Sequence, residues 1–338
     1  MNLTAVPPYQ TQPSLSTEVL DKYVAAFKKL HVSQSNRLGP APHKPILLLA
    51  IIDGIHHGWI RDNRIGLTPE LIAAFFWHWR ARVSVDGLRQ PRIIYPFRYL
   101  AGEKTSFWHF ERDGVEVTPQ FLAHPTSVAQ INEKVDYARL DPELWRLLQD
   151  PASREALRST LMTTYFGAHL TVEAGEAMLP ADPLEAEIER LIEQSRTLRY
   201  RATPQPNAVR ESDEGYLRHH LFSRVVTRIY AESCAVCRTS AKDSTGRVIV
   251  DAAHIRPFAR FGDDSPQNGL ALCKNHHFAF DAGWFSIRPD YTVVTSRSVR
   301  GLDGLVQAGT ALQLPSRPYL APSPEALAWH LAHTLLRP

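Results

Sequence analysis

The sequence predicts an α+β chain of two domains, the first mixing helices with short strands, the second built around a strand pair and a helix. Three observations carry this expectation. The chain has 338 residues, enough to bury two separate cores. Helical periodicity alternates with short extended runs through its first half. All three cysteines fall after residue 230, beyond a polar, proline-bearing stretch, "ATPQPNAVRESDEG", that reads as a linker.

The elements follow in order. "STEVLDKYVAAFKKL" places Leu20, Tyr23, Val24, Phe27 and Leu30 at helical spacing behind a Ser16/Thr17 cap. A second helix is expected from Pro45 through "ILLLAIIDGIHH" to a stop at Gly58. A third follows Thr68 and Pro69 through "LIAAFFWHWRARV". "RIIYPFRYL" and "SFWHFERDG" read as two short strands, and Asp141-Pro142 and Asp150-Pro151 as the starts of helices "ELWRLLQ" and "ASREALRSTLMTTYF". Residues 171–215 read as an acidic, exposed helix that turns basic, followed by the polar linker. The predicted organisation is therefore 1–170, a linker over 171–215, and 216–338, closing with the helix in "SPEALAWHLAHTLL".

Composition is that of a globular protein, 44% apolar and 22% charged, with no low-complexity tract or internal repeat. The longest strongly apolar run, "PILLLAII", is too short for a membrane span, and "MNLTAVPPYQ" lacks the features of a signal peptide. No membrane partner is expected, and the cytoplasm is the expected location. The net charge of +3 says little about partners, but arginines cluster. Arg80, Arg82, Arg89, Arg92 and Arg98 face one acid, Asp86; a second group is Arg196, Arg199, Arg201, Arg210, Arg218, Arg224 and Arg228, against Glu211, Asp213 and Glu214. Such clusters suit phosphate contact, and equally a solvated, ion-paired surface.

Cys234 and Cys237 form Cys-x2-Cys, and Cys273 lies three residues before His276. Four soft or borderline ligands in two tight pairs fit one tetrahedral structural Zn2+. The alternative is a Cys234–Cys237 disulfide with a free thiol at Cys273. Zinc would close the intervening segment into a loop. Within it "RVIVDAAHI" reads as a strand ending at His254, "CKNHHFAFDAGWF" as the start of a helix bearing His277, and the loop between them carries Asn268. Strand, loop and helix thus deliver three polar side chains to one small region.

That order and spacing resemble the HNH nuclease family, the ββα-metal fold, in the branch with "AHI", "NGLALC" and "HH-x3-D" elements. The resemblance covers roughly Tyr230 to Ile287. It implies that His254 is the general base, Asn268 the orienting middle residue and His277 a ligand of one catalytic divalent metal, Mg2+ or Mn2+. The chemistry is consistent, since a neutral imidazole takes a proton from water near pH 7 and a metal neutralises charge on a scissile phosphate. Many members carry an acid or His directly before the base, where this chain has Ala253. Asp251 shares a strand face with Ala253 and is expected to point away from His254. Asp281, four residues after His277, lies on its helical face; both acids are candidates for the second catalytic ligand, with Asp281 slightly ahead and Asp251 equally suited to a structural role. His276 and His277 diverge by about 100° on a helix, so one can serve zinc and the other the catalytic metal.

A separate first domain implies target selection. Its pattern "APHKPILLLAIIDGI", "IIYPF", "FWHFE" is similar to N-terminal domains of HNH restriction endonucleases. More weakly, it resembles the sulfur-binding domain of phosphorothioate-dependent restriction enzymes through His43-Lys44-Pro45 and Tyr95-Pro96. Bulky Tyr99 stands where that pocket wants a small residue, so the pocket is either blocked or reads another modified group; core packing of a strand is the other reading of Tyr95 and Tyr99. Lys44, Arg89, Arg92 and Arg98 are candidate phosphate or base contacts. The expected function is metal-dependent restriction-type cleavage of double-stranded DNA, modification-dependent and by a homodimer; a zinc-stabilised DNA-binding protein without cleavage and a non-selective nuclease are the alternatives.

Overall fold

The computed structural model describes residues 17–35, 39–83, 89–122, 125–167, 179–196, 212–244 and 247–336. Most of the stretch expected to be a polar linker, with Arg199, Arg201 and Arg210, lies outside these residues. The chain forms two compact units, the first Met1–Gly66, His78–Ala123 and Asn132–Met178, the second Leu67–Trp77, His124–Ile131 and Leu179–Pro338. No helix among the described residues is long and apolar enough to cross a membrane.

The first unit is organised around a helix that is apolar on every side. Helix α1 (Thr17–Lys28) precedes a short strand pair, β1 (Gln34–Ser35) with β2 (Gly39–Pro40), and then α2 (His43–His56). Every α2 residue from Lys44 to Ile55 is buried, as a central helix requires. Helix α3 spans Pro69–Arg82, its residues up to Trp77 and those of the later helix α5 up to Ile131 being counted with the second unit, and α4 spans Ile94–Tyr99. Strands β3 (Trp108–Arg112) and β4 (Val115–Val117) form a hairpin; after α5 (Val128–Lys134), strand β5 (Tyr137–Leu140) pairs antiparallel with the other edge of β3, giving the order β4-β3-β5. Helices α6 (Pro142–Gln149) and α7 (Pro151–Phe166) pack on α1 and α2, and the Asp150 side chain caps α7 by accepting from Ser153 N at 2.8 Å. At the foot of α1, the Tyr165 hydroxyl accepts from Leu30 N and donates to Phe27 O, each at 3.0 Å.

The segment read as a strand, "RIIYPFRYL", is helical instead. Ile93, Phe97 and Leu100 are buried at i, i+4 and i+7, and Pro96 sits in the first turn of α4, where its missing N–H costs nothing. Aromatic and β-branched content pointed to a strand, and tertiary burial at helical spacing overrode it.

In the second unit, α8 (Pro183–Gln194) packs on α9 (Asp213–Ile229). Helix α8 is acidic but not exposed throughout: Leu184, Ile188 and Ile192 form a buried stripe, and Glu187 is buried against Arg190, whose guanidinium reaches it at 2.5 Å. Helix α9 lies across the hairpin of β6 (Val250–His254) and β7 (Gly269–Cys273), paired antiparallel with His254 opposite Gly269. A Cβ on Gly269 would come within 2.4 Å of Val226 Cγ2, so glycine lets α9 sit directly on the hairpin. A short helix α10 (Phe258–Phe261) interrupts the loop between the strands, and α11 (Lys274–Asp281) follows β7 and packs back on both. A second hairpin, β8 (Phe285–Ile287) with β9 (Val293–Thr295), and α12 (Pro324–His333) close the core.

That closing layer carries a pH dependence. Ser286 Oγ donates to His330 Nδ1 at 2.8 Å, and the His330 ring stacks on Phe280 with centroids 3.7 Å apart. Burial pushes His330 down from its ordinary 6.5 to about 4, against the opposing hydrogen bond to the Phe280 backbone. A base whose folded value is depressed binds its proton more readily unfolded. Its contribution to stability is therefore complete above about 6.5 and is lost as pH falls toward 4, some ~3 kcal/mol in all. Urea unfolding of wild type and His330→Leu at pH 7.5 and 4.5 should show a shallower acid-side loss in the variant; equal losses would remove His330 as the cause.

Candidate active site

The four predicted zinc ligands converge. The Sγ atoms of Cys234, Cys237 and Cys273 and a ring nitrogen of His276 all lie within 4.8 Å of one another. Cys273 Sγ is 3.0 Å and Cys234 Sγ 3.5 Å from His276 Nδ1, and Cys237 Sγ is 3.9 Å from Cys273 Sγ. These separations suit donors about one tetrahedral ion. Local chemistry agrees: His276 Nε2 donates to Leu305 O at 2.9 Å, leaving Nδ1 as the free lone pair. The knuckle is closed by Arg238 N donating to Cys234 O at 2.8 Å, with Arg238 at φ +62°. Burial pushes the Cys273 thiol up to about 11. Burial also raises Cys234, but the His276 ring and neighbouring backbone N–H groups outweigh it and bring that thiol down to about 6. Zinc held by these four would join the knuckle, the end of β7 and the start of α11, with no disulfide among the cysteines.

The hairpin and α11 bring His254, His277, Asp281 and Asp251 into one neighbourhood. His277 stands between two carboxylates, its Nε2 3.4 Å from Asp281 Oδ2 and its Nδ1 3.8 Å from Asp251 Oδ2. Asp281 feels both histidines: burial raises its carboxyl, and His277 and His254 oppose that rise. Asp251 is also paired with Lys274. Asp251, expected from strand alternation to point away from His254, has its carboxylate 3.8 Å from His277 Nδ1.

Asn268 ends the turn before β7 and is fully buried. Its Oδ1 accepts from Arg256 N at 2.9 Å, and its Nδ2 donates to Arg256 O and Asp263 O, each at 3.0 Å. The backbone adds Ile255 N donating to Asn268 O at 2.8 Å. One amide side chain thus fastens the chain immediately after His254 to the returning loop. Asn268→Asp keeps the shape but turns the donor into an acceptor facing two carbonyls, so a stability loss of about 3 kcal/mol or more is expected in chemical denaturation; a loss under about 1 kcal/mol would show that the brace carries little.

Sequence reasoning missed two neighbours of His254. Its ring lies flat on Phe222 of α9, centroids 3.8 Å apart at 5°, and its Nε2 is 2.8 Å from Asp264 Oδ1. The Asp263-Asp264 pair in "GDDSPQN" was the available signal, but spacing alone does not say which acid turns inward.

In the first unit, His43, Lys44, Arg89, Tyr95, Pro96 and Tyr99 line one cavity of about 870 Å³. Lys44 is buried and paired with Glu103, which also accepts from His31 N. Arg89 donates to the carbonyls of Gly39 and Pro40, both at 2.6 Å, and a ring nitrogen of His43 lies 3.0 Å from Gln90 O. Tyr95 and Tyr99, 45% and 47% exposed, stand one turn apart on α4. Arg92 lies over the Tyr95 ring and Arg98 over the Tyr99 ring, 5.5 and 4.8 Å from the centroids; Arg98 also donates to Leu122 O. The two tyrosines are not strand core residues.

A family model for HNH endonucleases matches residues 234–288, the span from the first zinc ligand through β8. Among curated proteins no match is found. Among solved structures the chain is similar to a modification dependent TagI restriction endonuclease, at 28% identity over 32% of this chain and 35% of that one, with a TM-score of 0.27. The chain therefore spans about a third of that structure's length. The family match and the Cys/Cys/Cys/His cluster define a zinc-stapled, HNH-like nuclease domain within the second unit.

Proposed function

We propose that the protein is a metal-dependent DNA endonuclease of the restriction type that reads a modified base. The observation supporting cleavage is the convergence of His254, His277 and Asp281 on a hairpin and helix braced by Asn268. His277 and Asp281, with Asp251 as the alternative carboxylate, would hold one divalent cation, Mg2+ or Mn2+. Bound there, it supplies charge neutralisation at the scissile phosphate and the leaving oxygen. His254 takes the proton of the attacking water. Asn268 keeps the His254 backbone in register, and His276 with the three cysteines holds the strand–helix corner.

Beside this site a groove of about 960 Å³ is lined by Arg224, Arg228, Arg247 and Lys274 together with Glu185, Glu232 and Asp251. Its cations suit a phosphodiester backbone, although Arg228, Arg247 and Lys274 are already paired with Glu185, Asp243 and Asp251.

Target reading falls to the first unit. A cavity of about 870 Å³ is far larger than one sulfur atom needs and is of the size that takes a whole small molecule. Two exposed tyrosines, each with an arginine over its ring, offer stacking surfaces for an extruded base. Lys44 and Arg89 then shape the cavity, and Tyr95 and Tyr99 make the contacts. This favours a modified base over a phosphorothioate linkage. The test is cleavage of otherwise identical duplexes that are unmodified, phosphorothioated or cytosine-modified. Faster cutting of a base-modified duplex, reduced in Tyr95→Ala and Tyr99→Ala, supports the reading; uniform rates would make the enzyme a non-selective nuclease.

A further inference from the structure

We propose that Asp264 is the positioning residue of His254, fixing which ring nitrogen is free to accept a proton. The inference rests on His254 being the base. His254 ends β6 with its side chain 21% exposed, whereas the Asp264 carboxylate is 3% exposed. A carboxylate so buried is costly unless something donates to it. The adjacent Asp263 is committed elsewhere, its carboxylate accepting from Ser265 N at 3.0 Å and lying 3.4 Å from the Arg256 guanidinium. Asp264 has its Oδ1 on His254 Nε2 at 2.8 Å, while its Oδ2 is buried without a hydrogen bond, 3.4 Å from Nδ1 of His219.

The rings around this carboxylate restrict it further. Phe222 covers one face of His254. Phe258 approaches His254 at 5.7 Å between centroids and stacks on His219 at 4.6 Å. His219 and Phe222 lie one turn apart on α9, so the same helix face presents the ring that covers His254 and the imidazole nearest the outer oxygen of Asp264.

The chemical consequence follows from the ring's two nitrogens. With a carboxylate on Nε2, the neutral imidazole carries its hydrogen there and donates it to Asp264, leaving the Nδ1 lone pair to accept. When water gives up a proton, that proton goes to Nδ1, the new hydroxide oxygen keeps the electron pair for phosphorus, and the Nε2 hydrogen stays where it was. The doubly protonated ring then has a buried counter-charge at 2.8 Å, already in place before the reaction. Asp264 touches neither water nor phosphate; it acts through His254.

The test pairs kinetics with a direct view of the ring. In the zinc-loaded protein with Mg2+ and cleavable duplex, Asp264→Asn should lower kcat by roughly a hundredfold while KM and zinc content stay within about twofold. In wild type, nitrogen-15 spectra of the neutral His254 ring, assigned by its loss in His254→Gln, should show the hydrogen on Nε2. Asp264→Asn should move that population toward Nδ1. A kcat within twofold of wild type in Asp264→Asn, or a wild-type ring carrying its hydrogen on Nδ1, would overturn the proposal. The wild-type spectrum decides even where the variant does not fold. Cleavage by His254→Gln at the wild-type rate would instead remove the base assignment on which the proposal rests.

Discussion

Replacing His254 is expected to lower the rate of DNA cleavage by about 10³-fold, because its imidazole is the group that takes the proton of water in the proposed reaction. The choice of replacement separates chemistry from folding. His254→Ala also strips the ring from Phe222 and leaves the buried Asp264 carboxylate without its His254 hydrogen bond, so a stability loss of about 2 kcal/mol accompanies the loss of activity. His254→Gln keeps an N–H that can reach Asp264 yet cannot act as a base. It should therefore be nearly as inactive as the alanine variant while recovering much of its stability. Single-turnover cleavage and thermal unfolding of the pair read the two effects separately, and an active His254→Gln would show that the ring serves packing alone.

Removal of zinc is expected to have the largest structural effect. The cluster joins the knuckle at Cys234 and Cys237, the end of β7 at Cys273 and the first turn of α11 at His276. Asn268 directly precedes β7, His277 lies on α11, and β7 pairs with the strand that ends at His254. Zinc binding to such a four-ligand site contributes ~10–16 kcal/mol in small zinc domains, as much as or more than the ~5–15 kcal/mol that keeps a domain folded. Chelation, or Cys273→Ser, should abolish amide-exchange protection across β6, β7 and α11 and abolish cleavage with it, and readdition of zinc to the chelated wild type should restore both. The first unit has a separate core around α2 and should retain its protection. Full protection of β7 and α11 after verified zinc loss would mean that packing of α9 on the hairpin is sufficient by itself.

The zinc ligands were legible in the sequence because a metal site is local: two pairs of residues, each three apart, fix two turns. The order His254, Asn268, His277 was legible for a similar reason, since a hairpin and the helix after it bring together residues close in the chain. What was not legible depended on longer returns. Asp264 meets His254 only because α10 turns the loop back on the end of β6, and Phe222 meets it because Gly269 lets α9 approach. The α4 segment was misread since its composition suits a strand, while its burial at Ile93, Phe97 and Leu100 follows a helix. The approach of Asp251 to His277 was not legible either, because it depends on how α11 packs back on β6. Helix α8 looked exposed because four glutamates are interleaved with its apolar residues, yet Leu184, Ile188 and Ile192 are spaced one turn apart and all are buried.

The most direct measurement is of cleavage itself. Zinc-loaded protein is incubated with supercoiled plasmid, unmodified or carrying modified cytosines, in the presence of Mg2+ or Mn2+, and the conversion to nicked and linear forms is followed. The structure of the His254, His277 and Asp281 site leads to the expectation of cation-dependent cutting, stronger on the base-modified plasmid and absent in His254→Gln. Folded, zinc-bound protein that leaves every plasmid intact in either cation would contradict it, and would make the second unit a zinc-stabilised scaffold.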